Sequence, residues 1–321
     1  MSEAGFTRTI EVDGLTVDEI FAVLGNETRL DIVSALWEAG AHHQYADLDP
    51  TDRAISFSEL RRAVDVRDNG RFNYHLSKLV PHLVRHTDDG YRLSGAGMRI
   101  AQAVVAISGT PEPDGFEEHE LPCPLCAGPL TFTYEDQWVQ FSCPTCGDVD
   151  ENIPEGSIFN TVFPAAGLSD RTPDEVLSTG LYRCMLDLTY LMRGICRDCA
   201  SPTTASVLAC ESHDVADDRA CAACGSEYAV WADISCDTCR FAKRLPIEIC
   251  VMGLTPVIAF LHERGFDALS PSFAEIDEVI ETRFRTDVAR DPLRVTVTVA
   301  DEIDELSVTF DEELSLLDVV P

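Results

Sequence analysis

The chain has 321 residues, which is enough for two or three domains that each bury a hydrophobic core. Its formal net charge is −32, and only Lys78 and Lys243 among its 24 basic residues are lysines, a composition typical of surfaces that stay hydrated in concentrated salt. A hydrophobic content of 45% with apolar periodicity along most of the chain argues against a disordered acidic protein. No apolar run reaches the ~18 residues of a membrane span, and the N-terminus lacks a basic start and an apolar run, so the sequence predicts a cytoplasmic protein.

The first predicted helices lie between residues 17 and 64. Asn26 is a favourable N-cap, and the helix that follows it is expected to end near Gly40. A second helix is expected to begin at Ser56 or Ser58. The helix after Asn26 is predicted to bury one apolar face, made of Leu30, Val33, Leu36 and Trp37.

A third helix, over residues 70–80, has the pattern of a DNA-recognition helix. It follows a short turn at residues 65–69, and Pro81 helps to end it. At 100° per residue its apolar side chains cluster on one side, while cationic and amide side chains fall on the other side or on its flanks. Such donors can reach phosphates and base edges when the helix lies in the major groove.

A hairpin is predicted directly behind this helix, because Asp-Asp-Gly at residues 88–90 lies between two short extended runs. Its basic side chains, which include His86, would contact the DNA backbone or the minor groove as a wing. Residues 53–99 contain nine Arg or Lys and five Asp or Glu, which gives a local charge of +4 (nine minus five) in this acidic chain. We therefore predict double-stranded DNA as a partner, contacted by Arg67, Arg71, Asn73, Tyr74, His75, Lys78, Arg85 and Arg92.

The stretches LGNETRLDIVSAL, ISFSELRRAV, GRFNYHLSKLV and DDGYRLSGAG resemble the ArsR-like winged-helix family over residues 15–108. The resemblance implies a homodimer formed through the first and last helices, which here are DEIFAVL and MRIAQAVVAI. The last helix would offer one apolar face of Met98, Ala101, Val104 and Val105. Metal sensors of that family often carry a cysteine pair before the recognition helix. Ser-Glu-Leu-Arg-Arg stands there in this chain, so metal sensing at that place is not expected.

Residues 109–119 are rich in Pro, Gly and Glu and are predicted to be a linker. The segment 120–160 that follows contains two Cys-Pro-x-Cys knuckles around a strand-like run. Each knuckle can supply two corners of a tetrahedron, so the segment resembles a zinc ribbon that holds one structural Zn²⁺. A redox dithiol and chance spacing are the alternatives. The predicted ligands are Cys123, Cys126, Cys143 and Cys146.

Residues 194–246 contain a denser cluster of eight potential ligands for one or two zinc ions. Pairing in chain order is slightly favoured, while nested and cross-braced schemes remain open. The pair Cys210 and His213 is the weakest, and Cys184 and Cys250 lie in apolar helical runs that favour a place in the core. The eight predicted ligands are Cys196, Cys199, Cys210, His213, Cys221, Cys224, Cys236 and Cys239.

The sequence therefore predicts an α+β protein with an N-terminal winged helix-turn-helix domain (1–108), a central zinc ribbon (120–160) and a C-terminal α/β zinc-binding domain (161–321). Within the last domain, helices are expected at 173–193, 247–264 and 272–286, and two or three strands at 291–320. No phosphate-binding loop, nucleophile elbow or dinucleotide fingerprint is present, so neither an enzyme nor a small-molecule substrate is expected.

Together these patterns favour a homodimeric, sequence-specific transcription regulator with structural zinc. One alternative is a zinc-stabilised interaction adaptor of the transcription machinery, whose winged helix binds protein. Another is a zinc- or redox-responsive regulator with one labile ligand, for which the Cys210 and His213 pair is the candidate.

Overall fold

The computed structural model describes residues 17–42, 54–107, 121–146, 156–215 and 221–321. The chain divides into two compact units, Met1–Thr110 and Pro111–Pro321, and combines helices with small antiparallel sheets. The predicted linker at 109–119 lies outside the described residues. Within the described ranges, no helix is long and apolar enough to cross a membrane.

The first unit is built from five helices and one hairpin among its described residues. The helix α3 begins with a capping box between Ser56 and Glu59, and the Asp68 carboxylate caps α4 by accepting from the backbone N–H groups of Gly70 and Arg71. In chain order the elements are α1 (Val17–Leu24), α2 (Glu27–Glu38), α3 (Phe57–Ala63), α4 (Asn69–Leu79), β1 (Val84–Thr87), β2 (Gly90–Leu93) and α5 (Gly95–Ile107).

The buried face of α2 differs in part from the predicted one. Leu30 is 42% exposed, whereas Ile32 is fully buried. Thr28, Ile32 and Leu36 follow one another at intervals of four residues and form the buried stripe. Leu30 is two residues from both Thr28 and Ile32, which turns it about 200° away from that stripe and toward solvent.

The described residues of the second unit form three antiparallel sheets, each with its strands in chain order. The first sheet comprises β3 (Leu121–Pro122), β4 (Pro129–Glu135), β5 (Trp138–Ser142) and β6 (Ser157–Val162). The second comprises β7 (Thr204–Ala209), β8 (Val230–Ser235) and β9 (Ala242–Pro246). The third comprises β10 (Phe284–Arg290), β11 (Leu293–Ala300), β12 (Glu305–Phe310) and β13 (Leu316–Val320).

Four helices connect these sheets. They are α6 (Pro173–Leu191), α7 (Ile247–Val251), α8 (Thr255–His262) and α9 (Phe273–Arg283). A single helix was expected over 247–264, but the segment forms two helices, because Pro256 has no N–H to donate to the carbonyl of Met252 and its ring would clash with that carbonyl in a continuous helix. Pro256 then stands in the first turn of α8, where its missing N–H costs nothing.

The buried residues of the second unit form one hydrophobic core. Phe141 of the first sheet, Val176 of α6, Val230 of the second sheet and Val297 of the third all belong to it. The expected boundary between a ribbon at 120–160 and a separate domain from 161 falls inside β6, so these two segments are not separate domains.

Gly97→Ala is expected to destabilise the first unit, because an added Cβ would lie 2.0 Å from the carbonyl oxygen of Leu83. The backbones must separate, and overpacking of this kind costs about 1–3 kcal/mol. Gly95→Ala on the same helix is the matched control, since nothing lies within 4 Å of its added Cβ. Denaturant unfolding of both variants measures the difference, and equal stability of the two would contradict the close contact.

Candidate metal centres and nucleic-acid interface

The first group of thiols joins the two knuckles of the first sheet. Cys123 and Cys126 lie between β3 and β4, and Cys143 and Cys146 follow β5. Their four sulfur atoms all lie within 4.8 Å of one another, as the ribbon spacing predicts. We call these four residues the ribbon tetrad.

The other eight predicted ligands form two further tetrads in the second sheet. In each, the four ligand atoms again lie within 4.8 Å of one another. We call Cys196, Cys199, Cys236 and Cys239 the outer tetrad, and Cys210, His213, Cys221 and Cys224 the inner tetrad.

The pairing in the second sheet is therefore nested, and the slight preference for pairing in chain order is wrong. The reason is the antiparallel pairing of β7 and β8. Thr204 is opposite Ser235 at one end of the hairpin, and Ala209 is opposite Val230 at the other end. The outer tetrad closes the first end and the inner tetrad closes the second. Pairing in chain order would require ligands from opposite ends of β7 to meet, across about 20 Å for a six-residue strand.

Four of the knuckles share one backbone conformation. In each, the residue after the second ligand has a positive φ, between 59° and 66°, and its N–H donates to the carbonyl of the first cysteine at 2.7–2.9 Å. This left-handed turn brings two sulfur atoms to the same side of the chain. Only one of the four positions is a glycine, so the other three hold a strained conformation. The four residues are Ala127, Ala200, Gly225 and Arg240.

The donor geometry fits a tetrahedral metal ion. Zinc–sulfur bonds of about 2.3 Å require neighbouring sulfur atoms about 3.8 Å apart. The Cys126 and Cys143 sulfur atoms are 3.7 Å apart, and those of Cys196 and Cys239 are 3.5 Å apart. A disulfide would need about 2.05 Å. Thiolate with one imidazole is a donor set that zinc prefers, and four protein ligands leave no position for a substrate.

The inner tetrad includes the pair predicted to be the weakest. The Nδ1 atom of His213 lies 3.5 Å from the Cys224 sulfur, while Nε2 lies 3.1 Å from the Glu227 carbonyl oxygen. With Nδ1 as the ligand, Nε2 keeps its proton and donates it to that carbonyl, an arrangement that orients metal-bound histidines. The structure therefore brings Cys210 and His213 into a complete donor set.

Each tetrad contains one thiol that ionises easily. Burial opposes the shift, but the backbone N–H groups of Thr145 and Cys146 lower the pKa of Cys143 to about 7. Hydrogen bonds from Ser201 lower the pKa of Cys199 to about 6, and backbone N–H groups of Asp214 and Ala223 lower that of Cys221 to about 6. The pKa of one thiol is thus lowered in every tetrad, which favours metal binding, and an incoming cation would displace the remaining protons.

The two cysteines outside the tetrads differ from each other. Cys250 is fully buried, as expected for a core residue, and burial raises its pKa to about 12. Cys184 was also expected in the core, but it is half-buried and lines a cleft. Its thiol lies 3.6 Å from the Thr161 hydroxyl and 3.6 Å from the Lys243 ammonium.

The outward face of α4 carries half of the eight predicted DNA contacts. Arg71, Asn73 and Lys78 are exposed, and Tyr74 is 59% exposed, with the Lys78 ammonium 5.6 Å from its ring centroid. Arg67 is exposed just before the helix. On the hairpin, Arg85 and His86 are exposed and Arg92 is half-buried.

His75 is a correction to the predicted set of contacts. It is only 8% exposed, because its place on α4 turns it toward the inner side of the first unit. Burial lowers its pKa, and the cations Arg29 and Arg71 lower it further. A neutral, buried imidazole is not available to a phosphate or a base edge.

Arg61 fixes the turn before α4 in a way that the sequence did not reveal. Its guanidinium donates to the carbonyl oxygens of Val66 and Arg67, both at 3.1 Å, and so ties the turn between α3 and α4. Its neighbour Arg62 is exposed. Nothing in the run Glu-Leu-Arg-Arg-Ala distinguishes the two arginines, so only the fold identifies the one that fixes the turn.

The apolar face proposed for α5 is divided. Ala101 is buried within the first unit and Met98 is half-buried, whereas Val104 and Val105 are exposed. Phe21 of α1 is 69% exposed. Ala101 thus contributes to the core and cannot belong to a surface between two copies.

Two family models match the chain. Residues 120–316 match the family described as Domain of unknown function (DUF7351), and residues 17–104 match the one described as Domain of unknown function (DUF7347). No curated protein and no solved structure matches the chain. Each matched stretch lies within one of the two compact units, since the division between residues 110 and 111 falls between the two stretches.

The nested pairing predicts how zinc content responds to paired substitutions. The full chain should hold three ions. The double variant Cys196→Ala with Cys239→Ala removes ligands from the outer tetrad alone and should still hold two. Under pairing in chain order the same double variant would damage two sites and hold one. Elemental analysis gives the number of zinc ions per chain and so distinguishes the two pairings. Cys184→Ala is the control and should keep all three ions.

Removal of metal by a strong chelator should affect the second unit only, because residues 1–122 contain no cysteine. A structural zinc contributes about 10–16 kcal/mol of apparent binding free energy. Amides of β7, β8 and the first sheet should therefore lose protection in hydrogen exchange, while α2 and α4 keep it. Loss of protection in α2 or α4 would contradict independent stabilisation of the first unit.

Proposed function

We propose that this chain, which belongs to the family described as domain of unknown function DUF7351, is a sequence-specific DNA-binding transcription regulator of the winged helix-turn-helix type, stabilised by structural zinc. The observation that carries the proposal is α4, whose apolar side packs into the first unit while Arg71, Asn73 and Lys78 extend outward. In this proposal α4 lies in the major groove and the β1–β2 hairpin contacts the adjacent backbone.

The chemistry of the α4 face supports two kinds of contact. Arg71 and Lys78 can neutralise phosphates, and of the described residues none supplies a carboxylate within 4 Å of either cation. The exposed Asn73 amide can donate to and accept from an adenine edge. Arg61 holds the turn that sets the direction of α4, so it acts by positioning these side chains.

The charge distribution also supports this interface. The net charge of −32 would repel DNA if it were spread evenly, but residues 53–99 carry +4. In ~1 M salt the Debye length is about 3 Å, so repulsion from distant carboxylates is screened and direct contacts decide binding. A regulator in such a medium depends on short-range contacts, and a homodimer spanning two half-sites would double their number.

In this proposal the three tetrads serve stability. Four protein ligands at each site leave no coordination position for chemistry. In the first sheet, a metal ion would join the two knuckles of a ribbon-type arrangement. In the second sheet, metal ions would join the two ends of the β7–β8 hairpin, and both sheets would thereby be held against the shared core. The second unit is then the part of the molecule that receives a signal or a partner.

Substitutions on α4 should separate affinity from sequence preference. Preferred sites are first selected from a random duplex pool with the full, zinc-loaded chain. Arg71→Gln or Lys78→Gln should weaken binding to every sequence and reduce the log–log salt slope by about 0.9 for each lost phosphate contact. Asn73→Ala should instead cost about 1–3 kcal/mol at one base position and leave the slope unchanged.

Arg99→Gln is the matched control, since it removes the same charge from an exposed position on α5. Fluorescence anisotropy at several salt concentrations measures all four variants. If excess non-specific DNA competes as well as the selected site, the chain has no sequence preference and the regulator proposal fails in favour of an adaptor.

A further inference from the structure

A cleft of about 620 Å³ lies within the second unit. Its walls come from β6, α6, β9 and α9, so edge strands of two sheets and two helices enclose it. The volume falls within the range of about 300–1,000 Å³ that is typical of sites for small molecules. Protein interiors are close-packed and leave few voids larger than a water molecule, so an opening of this size is not a packing defect.

The walls of the cleft are mainly apolar and unusually aromatic. Leu181, Met185 and Leu188 of α6 form the base, and Ile276 and Ile280 of α9 contribute from one side. Such a surface favours a ligand with a flat, apolar body. The six aromatic side chains that line the cleft are Trp138, Phe159, Tyr228, Trp231, Phe241 and Phe273.

Lys243 places a cation in this apolar wall. It is half-buried on β9, and its ammonium donates to the Cys184 sulfur at 3.6 Å, which in turn donates to the Thr161 hydroxyl at 3.6 Å. Asp187, an acidic residue on which the Lys243 charge acts, is already paired with Arg197, which also pairs with Asp198. Across the described part of the chain, no carboxylate lies within 4 Å of the Lys243 nitrogen.

The rarity of lysine in this chain supports a specific role for Lys243. The chain uses arginine for all but two of its basic residues, and the other lysine is Lys78 on α4. A lysine ammonium is a compact charge with three donors, which suits a single carboxylate in a narrow cleft. Glu227 and Asp277 line the cleft near Tyr228, where their charges raise the pKa of that phenol in addition to its burial. Their position disfavours an acidic group there and gives a bound acid one orientation.

We infer that the cleft is a binding site for a small apolar monocarboxylic acid, with its carboxylate on Lys243 and its aromatic or aliphatic body against α6 and α9. The cleft borders the ribbon tetrad, since Cys146 is among its lining residues, but none of the three tetrads has an open position, so the carboxylate is assigned to Lys243 and not to a metal centre. The proposal does not depend on the proposed contact with DNA. The ligand class follows from one cation that has no carboxylate of the described residues within 4 Å in a mainly apolar and aromatic enclosure, because the two arginines of the lining, Arg197 and Arg244, are already paired with aspartates.

The test uses the full, zinc-loaded chain and isothermal titration calorimetry in the absence of DNA. The probes are phenylbutyrate and the neutral phenylbutanol, which share the same ring and chain length. The wild type should bind the acid about tenfold more tightly than the alcohol, because a hydrogen bond to a charged group contributes roughly this much. Lys243→Gln should lower the affinity for the acid to that for the alcohol, and Lys243→Arg should retain the preference for the acid over the alcohol.

Lys78→Gln is the matched control and should bind both probes as the wild type does. Ile280→Trp should fill the cleft and weaken both probes, and a zinc content of three ions per chain confirms that each variant is folded. The proposal is overturned if the wild type binds neither probe saturably, if it binds acid and alcohol equally, or if Lys243→Gln retains the preference for the acid.

Discussion

Antiparallel pairing of β7 with β8 is the constraint on which the second sheet depends. Because the start of β7 lies beside the end of β8, ligands that flank these strands converge in two groups, one at each end of the hairpin. Metal binding by each tetrad would thus fix the register of β7 against β8, because a slip by one residue would separate the ligands at both ends. The same slip would turn the buried side chain of Val207 toward solvent. Three of the four left-handed turns that orient the sulfur atoms are strained, and bonds to a metal ion would offset that strain.

The metal centres and the hydrophobic core of the second unit support each other. Buried residues from all three sheets and from α6 form one cluster, so the first sheet does not stand alone as a ribbon. The tetrads occupy the ends of the first two sheets, where the knuckles contain few apolar side chains. A zinc ion bound there would contribute about 10–16 kcal/mol, which is comparable with the whole stability of a typical domain. The third sheet has no tetrad among its described residues and relies on valine packing, with Val295, Val297 and Val299 all buried.

The sequence predicted local features well and long-range ones less well. Capping residues and periodicity located α3, α4 and α6, and knuckle spacing identified the twelve residues that converge into the three tetrads, because these signals depend on near neighbours. The pairing of ligands in the second sheet depends on which strands lie side by side, and the strand character of 204–209 and 230–235 would have supported the nested scheme. The burial of His75 and the role of Arg61 depend on packing partners far along the chain, which periodicity alone does not specify.

The composition of the tetrads also changes the electrical balance of the molecule. A divalent ion held by four thiolates leaves two negative charges at the site, and one held by three thiolates and a neutral imidazole leaves one. Loading the protein with metal therefore makes an already acidic chain still more anionic, and the added charge is confined to the second unit. The N–H groups that point at these sulfur atoms, such as those of Gly128 and Thr145, disperse part of it. Metal occupancy would thus also change how strongly the second unit repels polyanions.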